Sequence, residues 1–168
     1  MSDERSKRGL RDLILSMAVV AAFVAFLVAV VWRPAPDPVR TVDPAPMVEA
    51  ARARADYVLV PDGLPAQWRT TSARFEQNAD SSTWFLGYVT PEDEYVALAQ
   101  TDGDPADFIE EQTQQGAPDG ERSIEGRQWQ QYASDDQRSL VLTDPNSTTV
   151  VTGTVSYEQL QEFIGKLS

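Results

Sequence analysis

Residues Thr83 to Thr101 read TWFLGYVTPEDEYVALAQT, and this stretch decides the fold class. In its first half Trp84, Leu86 and Tyr88 share one face by alternation while Phe85 and Val89 share the other, the pattern of a β-strand. Pro91-Glu92-Asp93 is a short polar break, and Glu94 to Thr101 resumes an apolar run. Two such runs across so tight a connection form an antiparallel hairpin.

Working downstream, Asp104-Pro105-Ala106-Asp107 supplies an N-cap aspartate, a proline at the first helical position and a carboxylate in the first turn. A helix is expected from there to Gln115, stopped by Gly116. Ile124 to Ala133, Arg138 to Thr143 and Thr148 to Val155 read as three strands, the last two joined by the turn Asp144-Pro145-Asn146-Ser147. Ser156-Tyr157-Glu158-Gln159 is a capping box, after which Leu160, Phe163, Ile164 and Leu167 line one face of a final helix.

Upstream, Met47 to Ala55 is alanine-rich and predicts a short helix leading into Tyr57-Val58-Leu59-Val60. Trp68 to Glu76 reads as a strand, followed by a loop from Gln77 to Ser82. The order predicts an α+β domain: an antiparallel sheet of about six strands in a βββα-βββα order with its helices on one face, preceded by one N-terminal transmembrane helix.

That last element rests on Leu13 to Trp32, LILSMAVVAAFVAFLVAVVW, twenty residues without a charge. As a helix it spans roughly 30 Å, the thickness of a bilayer core. A cleaved signal peptide is disfavoured, because the segment is long and no small-x-small site follows it. Arg5, Lys7, Arg8 and Arg11 crowd the tail before it, which orients residues 1–12 to the cytoplasm and the C-terminal part outside it. Five prolines between Arg33 and Pro46 suit an extended spacer, residues 33–46, ahead of an extracytoplasmic domain, residues 47–168. Ala21, Ala25 and Ala29 form a small-residue stripe through which two spans could associate into a homo-oligomer.

The chain has a formal charge of −12, and the part from Arg33 onward holds 10 cations against 23 carboxylates, or −13. So acidic a surface repels phosphate, which argues against nucleic acid as a partner. The chain has no histidine and no cysteine. That removes Ser-His-Asp triads, Cys-His pairs, disulfides and thiolate or imidazole zinc sites. Lys166 is the only lysine after the span, and it lies too near the end of the last helix to suggest a Ser-Lys dyad.

What remains is carboxylate chemistry. Glu92-Asp93-Glu94, Asp102-Gly103-Asp104 and Asp135-Asp136 lack the spacing of a calcium loop and fall where turns and caps are expected. No catalytic residue, metal or cofactor is assigned. Asn146-Ser147-Thr148 fits a glycosylation sequon on a turn whose geometry already explains it.

Candidate partner contacts are the strand aromatics Trp84, Tyr88, Trp129 and Tyr132, should one sheet face lie open, and the scarce cations Arg69 and Arg74. The two arginines belong to a conspicuous stretch, Val60 to Arg74 (VPDGLPAQWRTTSAR). Pro61-Asp62-Gly63 is turn chemistry, Pro65 stiffens the approach and Trp68 plugs the point where the first strand enters the core. The stretch reads as the structural doorway from linker to sheet, with Arg69 and Arg74 left to pair with carboxylates or with an anionic ligand.

Leu64-Pro65-x-x-Trp68 with Thr71-Ser72-Ala73-Arg74, Trp84-x-x-Gly87-Tyr88-x-Thr90-Pro91 with Tyr95, Gly126-x-x-Trp129-x-x-Tyr132, and Val150-Val151-Thr152-Gly153-Thr154 form a joint pattern. On these residues, and on the charged tail and span, the chain resembles an actinobacterial family of single-span membrane proteins defined by a domain of unknown function, DUF4245. The likeness covers nearly everything from Leu13 to Leu167. It implies a cell-envelope setting and carries no activity. The function expected is therefore a non-catalytic extracytoplasmic module binding an envelope protein, glycan or lipid. The alternatives are an accessory subunit of a membrane complex, or a hydrolase built on paired carboxylates.

Overall fold

In the computed structural model, which describes residues 17–22, 24 and 40–168, the reversal expected at Pro91 is organised by the hydroxyl of Thr90. It accepts from the backbone N–H groups of Glu92 and Glu94, each at 3.2 Å. The turn joins strand β2 (Ser82–Val89) to β3 (Tyr95–Thr101), and β1 (Arg69–Gln77) pairs with the outer side of β2.

The chain divides into two compact units, 1–38 and 39–168. In the first, Met17–Ala22 and Val24 are helical, with Met17, Val19, Val20 and Val24 exposed. Among the described residues no helix is long and apolar enough to cross a membrane, and most of the expected span, with Ala25 and Ala29 of its stripe, lies outside them.

In the second unit, helix α1 (Ala45–Arg52) begins two residues before Met47, with Pro44 at its N-cap; Asp43, just before the cap, accepts from the Ala45 N–H through Oδ1 at 3.0 Å. At the other end the Arg54 guanidinium donates to the Ala50 carbonyl at 3.0 Å. Helix α2 (Pro105–Gln112) starts as its cap predicts, Asp104 accepting from the Ala106 N–H at 2.8 Å. It ends earlier than expected, since Gln114 and Gln115 turn to positive φ before Gly116. The capping box of α3 (Tyr157–Ile164) is fully formed.

Four more strands follow α2: β4 (Ala117–Ile124), β5 (Arg127–Ala133), β6 (Arg138–Asp144) and β7 (Ser147–Gly153). The sheet therefore has seven strands, all antiparallel, in the order β1-β2-β3-β7-β6-β5-β4. The expectation of about six failed at one place. Ile124 to Ala133 is the end of one strand and the whole of the next, folded about Glu125 (φ 51°) and Gly126 (φ 78°) in a two-residue hairpin turn. Pro118 and Gly120 disguise β4 as a loop. It is an edge strand with a bulge between them, where a missing N–H and an extra residue are tolerated.

The expectation of helices on one face is also corrected. Leu86, Leu98, Leu140 and Val151 face the side covered by α1, α3 and the chain from Ala53 to Trp68, where Leu160, Phe163 and Ile164 pack. Their neighbours Ala99, Val141 and Val150 face the opposite side and meet Phe108 of α2. Alternation along each strand sends these two sets to opposite faces. The helices thus follow the central strands β3 and β7 to different sides, so the two halves are not a structural repeat.

The run Tyr57 to Val60 forms no strand of the sheet. Val60 exchanges backbone hydrogen bonds with Ser168 at 3.1 and 3.0 Å, and the Asp62 N–H donates to the Lys166 carbonyl at 2.7 Å. The beginning and end of this unit are thereby tied together over the first face of the sheet.

Candidate binding groove

The chain from Leu64 to Trp68 is shaped by Gly63 at φ 66° and by a turn in which the Trp68 N–H donates to the Pro65 carbonyl at 2.9 Å. This carries the Trp68 ring onto α3. It stacks on Phe163, with centroids 5.8 Å apart and planes 21° from parallel, and meets Tyr88 edge-on at 6.3 Å. Tyr88 and Phe163 meet edge-on at 5.7 Å, so three rings brace one another. Tyr88 and Phe163 are buried, whereas Trp68 is half-buried and keeps one side open.

That open side lines a groove of about 290 Å³. Leu64, Pro65 and Trp68 form one wall, Thr90 and Pro91 of the hairpin turn a second, and Val155 and Phe163 a third. Glu92, Gln159, Glu162 and Lys166 stand around them. Three segments far apart in sequence thus contribute an apolar floor with a charged rim of two carboxylates and one ammonium. The hairpin wall is held in position by an ion pair between Arg69 and Asp93, the latter at φ 61°. Burial pushes the Tyr88 phenol up to about 12, so this ring stays neutral behind the groove.

The remaining candidate residues are scattered. Trp84, Tyr88 and Trp129 are 0, 5 and 4% exposed, which corrects their reading as partner contacts: they are core. The reason is the cover on the first face, where α1, α3 and the chain before β1 bury these three rings. Tyr132 is half-buried on the second face beside Ile109 of α2. Arg69 is taken by Asp93. Arg74 has no carboxylate partner among the described residues, and its guanidinium lies over the Phe85 ring, 4.6 Å from the centroid.

Arg74 also lines a second cleft, of about 420 Å³, between β1, β2 and α2, together with Glu76, Phe85, Phe108 and Glu111. Glu76 and Glu111 bring two carboxylates to one cleft, yet both are exposed. They lack the apolar enclosure that fits a carboxyl group for general-acid work.

Among the described residues no group of three or more acidic side chains is placed to hold a metal ion. Three of the acidic side chains noted in the sequence serve local structure. Asp93 pairs with Arg69, Asp102 Oδ1 accepts from the Ser82 N–H at 2.6 Å, and Asp104 caps α2.

Sequence reasoning placed Leu64, Pro65 and Trp68 in a doorway and did not connect them with Pro91, Val155 or Phe163. No spacing signal could have done so, since the contacts are made only when β2, β3 and α3 assemble. Residues 5–167 match a protein family described as a protein of unknown function (DUF4245). No curated protein matches the chain.

Proposed function

The chain belongs to the DUF4245 family of proteins of unknown function, and from that premise we propose that it is a membrane-anchored, extracytoplasmic binding module of the cell envelope that performs no chemistry itself. The observation that carries the reading is the groove at Trp68. Its floor is apolar, it is backed by three mutually packed rings of which Trp68 and Phe163 are stacked, and Glu92, Gln159, Glu162 and Lys166 stand at its border. Ligand sites have this character: a concave apolar surface with a few polar groups at its border. The strongly acidic composition and the twenty-residue uncharged stretch support the placement, the first by disfavouring nucleic acid and the second by supplying an anchor.

The absence of cysteine makes the placement directly testable. A single cysteine at the exposed turn, Asn146→Cys, is expected to react with a membrane-impermeant maleimide in intact cells. Ser2→Cys in the tail is expected to react only after lysis. The reverse pattern would overturn the orientation, and equal labelling of both in intact cells would remove the anchor from the account.

A further inference from the structure

We propose that the groove at Trp68 takes an extended, proline-containing segment of a partner polypeptide, flanked by basic residues; this deepens the binding reading above and rests on it. The wall is suited to such a segment. Trp68 stacked on Phe163 presents a flat, immobilised aromatic surface, with Pro65 and Pro91 beside it. Polyproline segments dock on aromatic-lined grooves because they are already extended and lose little conformational entropy on binding.

The polar chemistry agrees. Among the described residues no buried side-chain nitrogen or oxygen lacks a partner. The indole Nε1 of Trp84 donates to the Leu59 carbonyl, whereas that of the half-buried Trp68 has no acceptor among the described residues. The Trp68 indole N–H is therefore a solvent-accessible donor on a residue that lines the groove. A polyproline backbone has unpaired carbonyls to offer it, since that conformation forms no internal hydrogen bonds.

Charge selects the flanks. Glu92 and Glu162 outnumber Lys166 at the border, and the part of the chain from Arg33 onward carries −13. Basic residues on either side of the docked segment are attracted, while acidic ones are repelled. An anionic lipid headgroup would be repelled by the same acidic border.

The test uses the full chain in detergent micelles, nitrogen-15 labelled, with the Trp68 indole signal assigned by its loss in Trp68→Phe. The probe is a synthetic peptide of about ten residues, alternating proline and leucine, with arginine at each end. Saturable movement of the Trp68 signal is expected. Trp68→Phe keeps the ring stack and removes the donor, so it should fold and bind about three- to tenfold more weakly. Glu92→Gln with Glu162→Gln should weaken the arginine-flanked peptide and leave a neutral-flanked one unchanged. Equal binding of a peptide with glycine in place of proline would overturn the proposal. So would movement of the Trp68 signal by peptidoglycan fragments or anionic vesicles alone, an outcome that leaves the groove reading standing. Failure of every probe to move that signal would overturn both.

Discussion

Trp84 and Gln100 stand opposite each other on β2 and β3 and together hold both backbone polar groups of Leu59. The indole Nε1 donates to the Leu59 carbonyl at 3.0 Å, and Gln100 Oε1 accepts from the Leu59 N–H at 2.8 Å. Gln100, only 1% exposed, completes its own bonding by donating to Thr149 Oγ1 at 3.0 Å. Two side chains thus replace a missing strand ladder and pin the chain from Ala53 to Trp68 over the core. Gln100→Leu should cost about 1–3 kcal/mol for each polar group it strands. Trp84→Phe should cost at least that for the carbonyl, with a further loss for the smaller ring. Because both act on Leu59, the double variant should be less destabilised than the sum, as measured by urea unfolding.

The β4–β5 turn should respond to its backbone alone. Glu125 holds φ 51° beside Gly126 at φ 78°, and a Cβ on Gly126 would touch nothing within 4 Å. Glu125→Asn creates the dipeptide favoured in this turn and is expected to stabilise by about 0.5–1 kcal/mol. Gly126→Ala should cost about 1–2 kcal/mol through the left-handed conformation itself. Gly153→Ala is a contrasting case, since its Cβ would meet the Tyr95 carbonyl oxygen and split β3 from β7. That variant should lose several kcal/mol and is checked by its thermal midpoint.

Alkaline pH should unfold the protein for an identifiable reason. Burial pushes the phenols of Tyr57, Tyr88 and Tyr157 up to about 12, with Asp102 adding to the effect at Tyr57 and Asp119 at Tyr157. A phenol whose folded pKa is raised keeps its proton longer in the folded state, so unfolding releases protons. Stability is then complete below about pH 10 and falls as the pH rises from there toward 12. Urea midpoints across that window should decline, and Tyr88→Phe should flatten the slope.

Neutralising the two arginines of the doorway should do little to stability. Arg69 and Asp93 are an exposed pair, 36 and 80% accessible, and Arg74 packs on Phe85 at the surface. Arg69→Gln and Arg74→Gln should each cost less than about 1 kcal/mol in chemical unfolding. The effect of Arg69→Gln should be felt instead in ligand affinity, because Pro91 loses its tether.

The elements most legible in the sequence are those with a local cause. The hairpin at Thr90 follows from strict alternation, and α2 and α3 from their caps. Strand β4 was hidden because Pro118, Asp119 and Gly120 spell a turn, and only the edge position and bulge make them compatible with a strand. The opposite placement of the helices shows in the burial of the central strands, not in their sequence. Val96 to Thr101 and Thr148 to Gly153 are buried at every residue, and strands buried on both faces need cover on both. At the site, Trp68 was visible as a plug, but the groove exists only where Leu64, Pro91 and Phe163 converge. Residues nearly 100 positions apart leave no periodic trace of that meeting.

The central claim is that the protein works by holding a partner at this groove, and photo-crosslinking in intact cells tests it most directly. A photoreactive residue at Glu92, on the groove, should give a discrete adduct that Trp68→Phe weakens. The same residue at Gln128, exposed on β5 and absent from the groove lining, should give none. Identical adducts from both positions, or an adduct at Glu92 that Trp68→Phe leaves unchanged, would contradict the account.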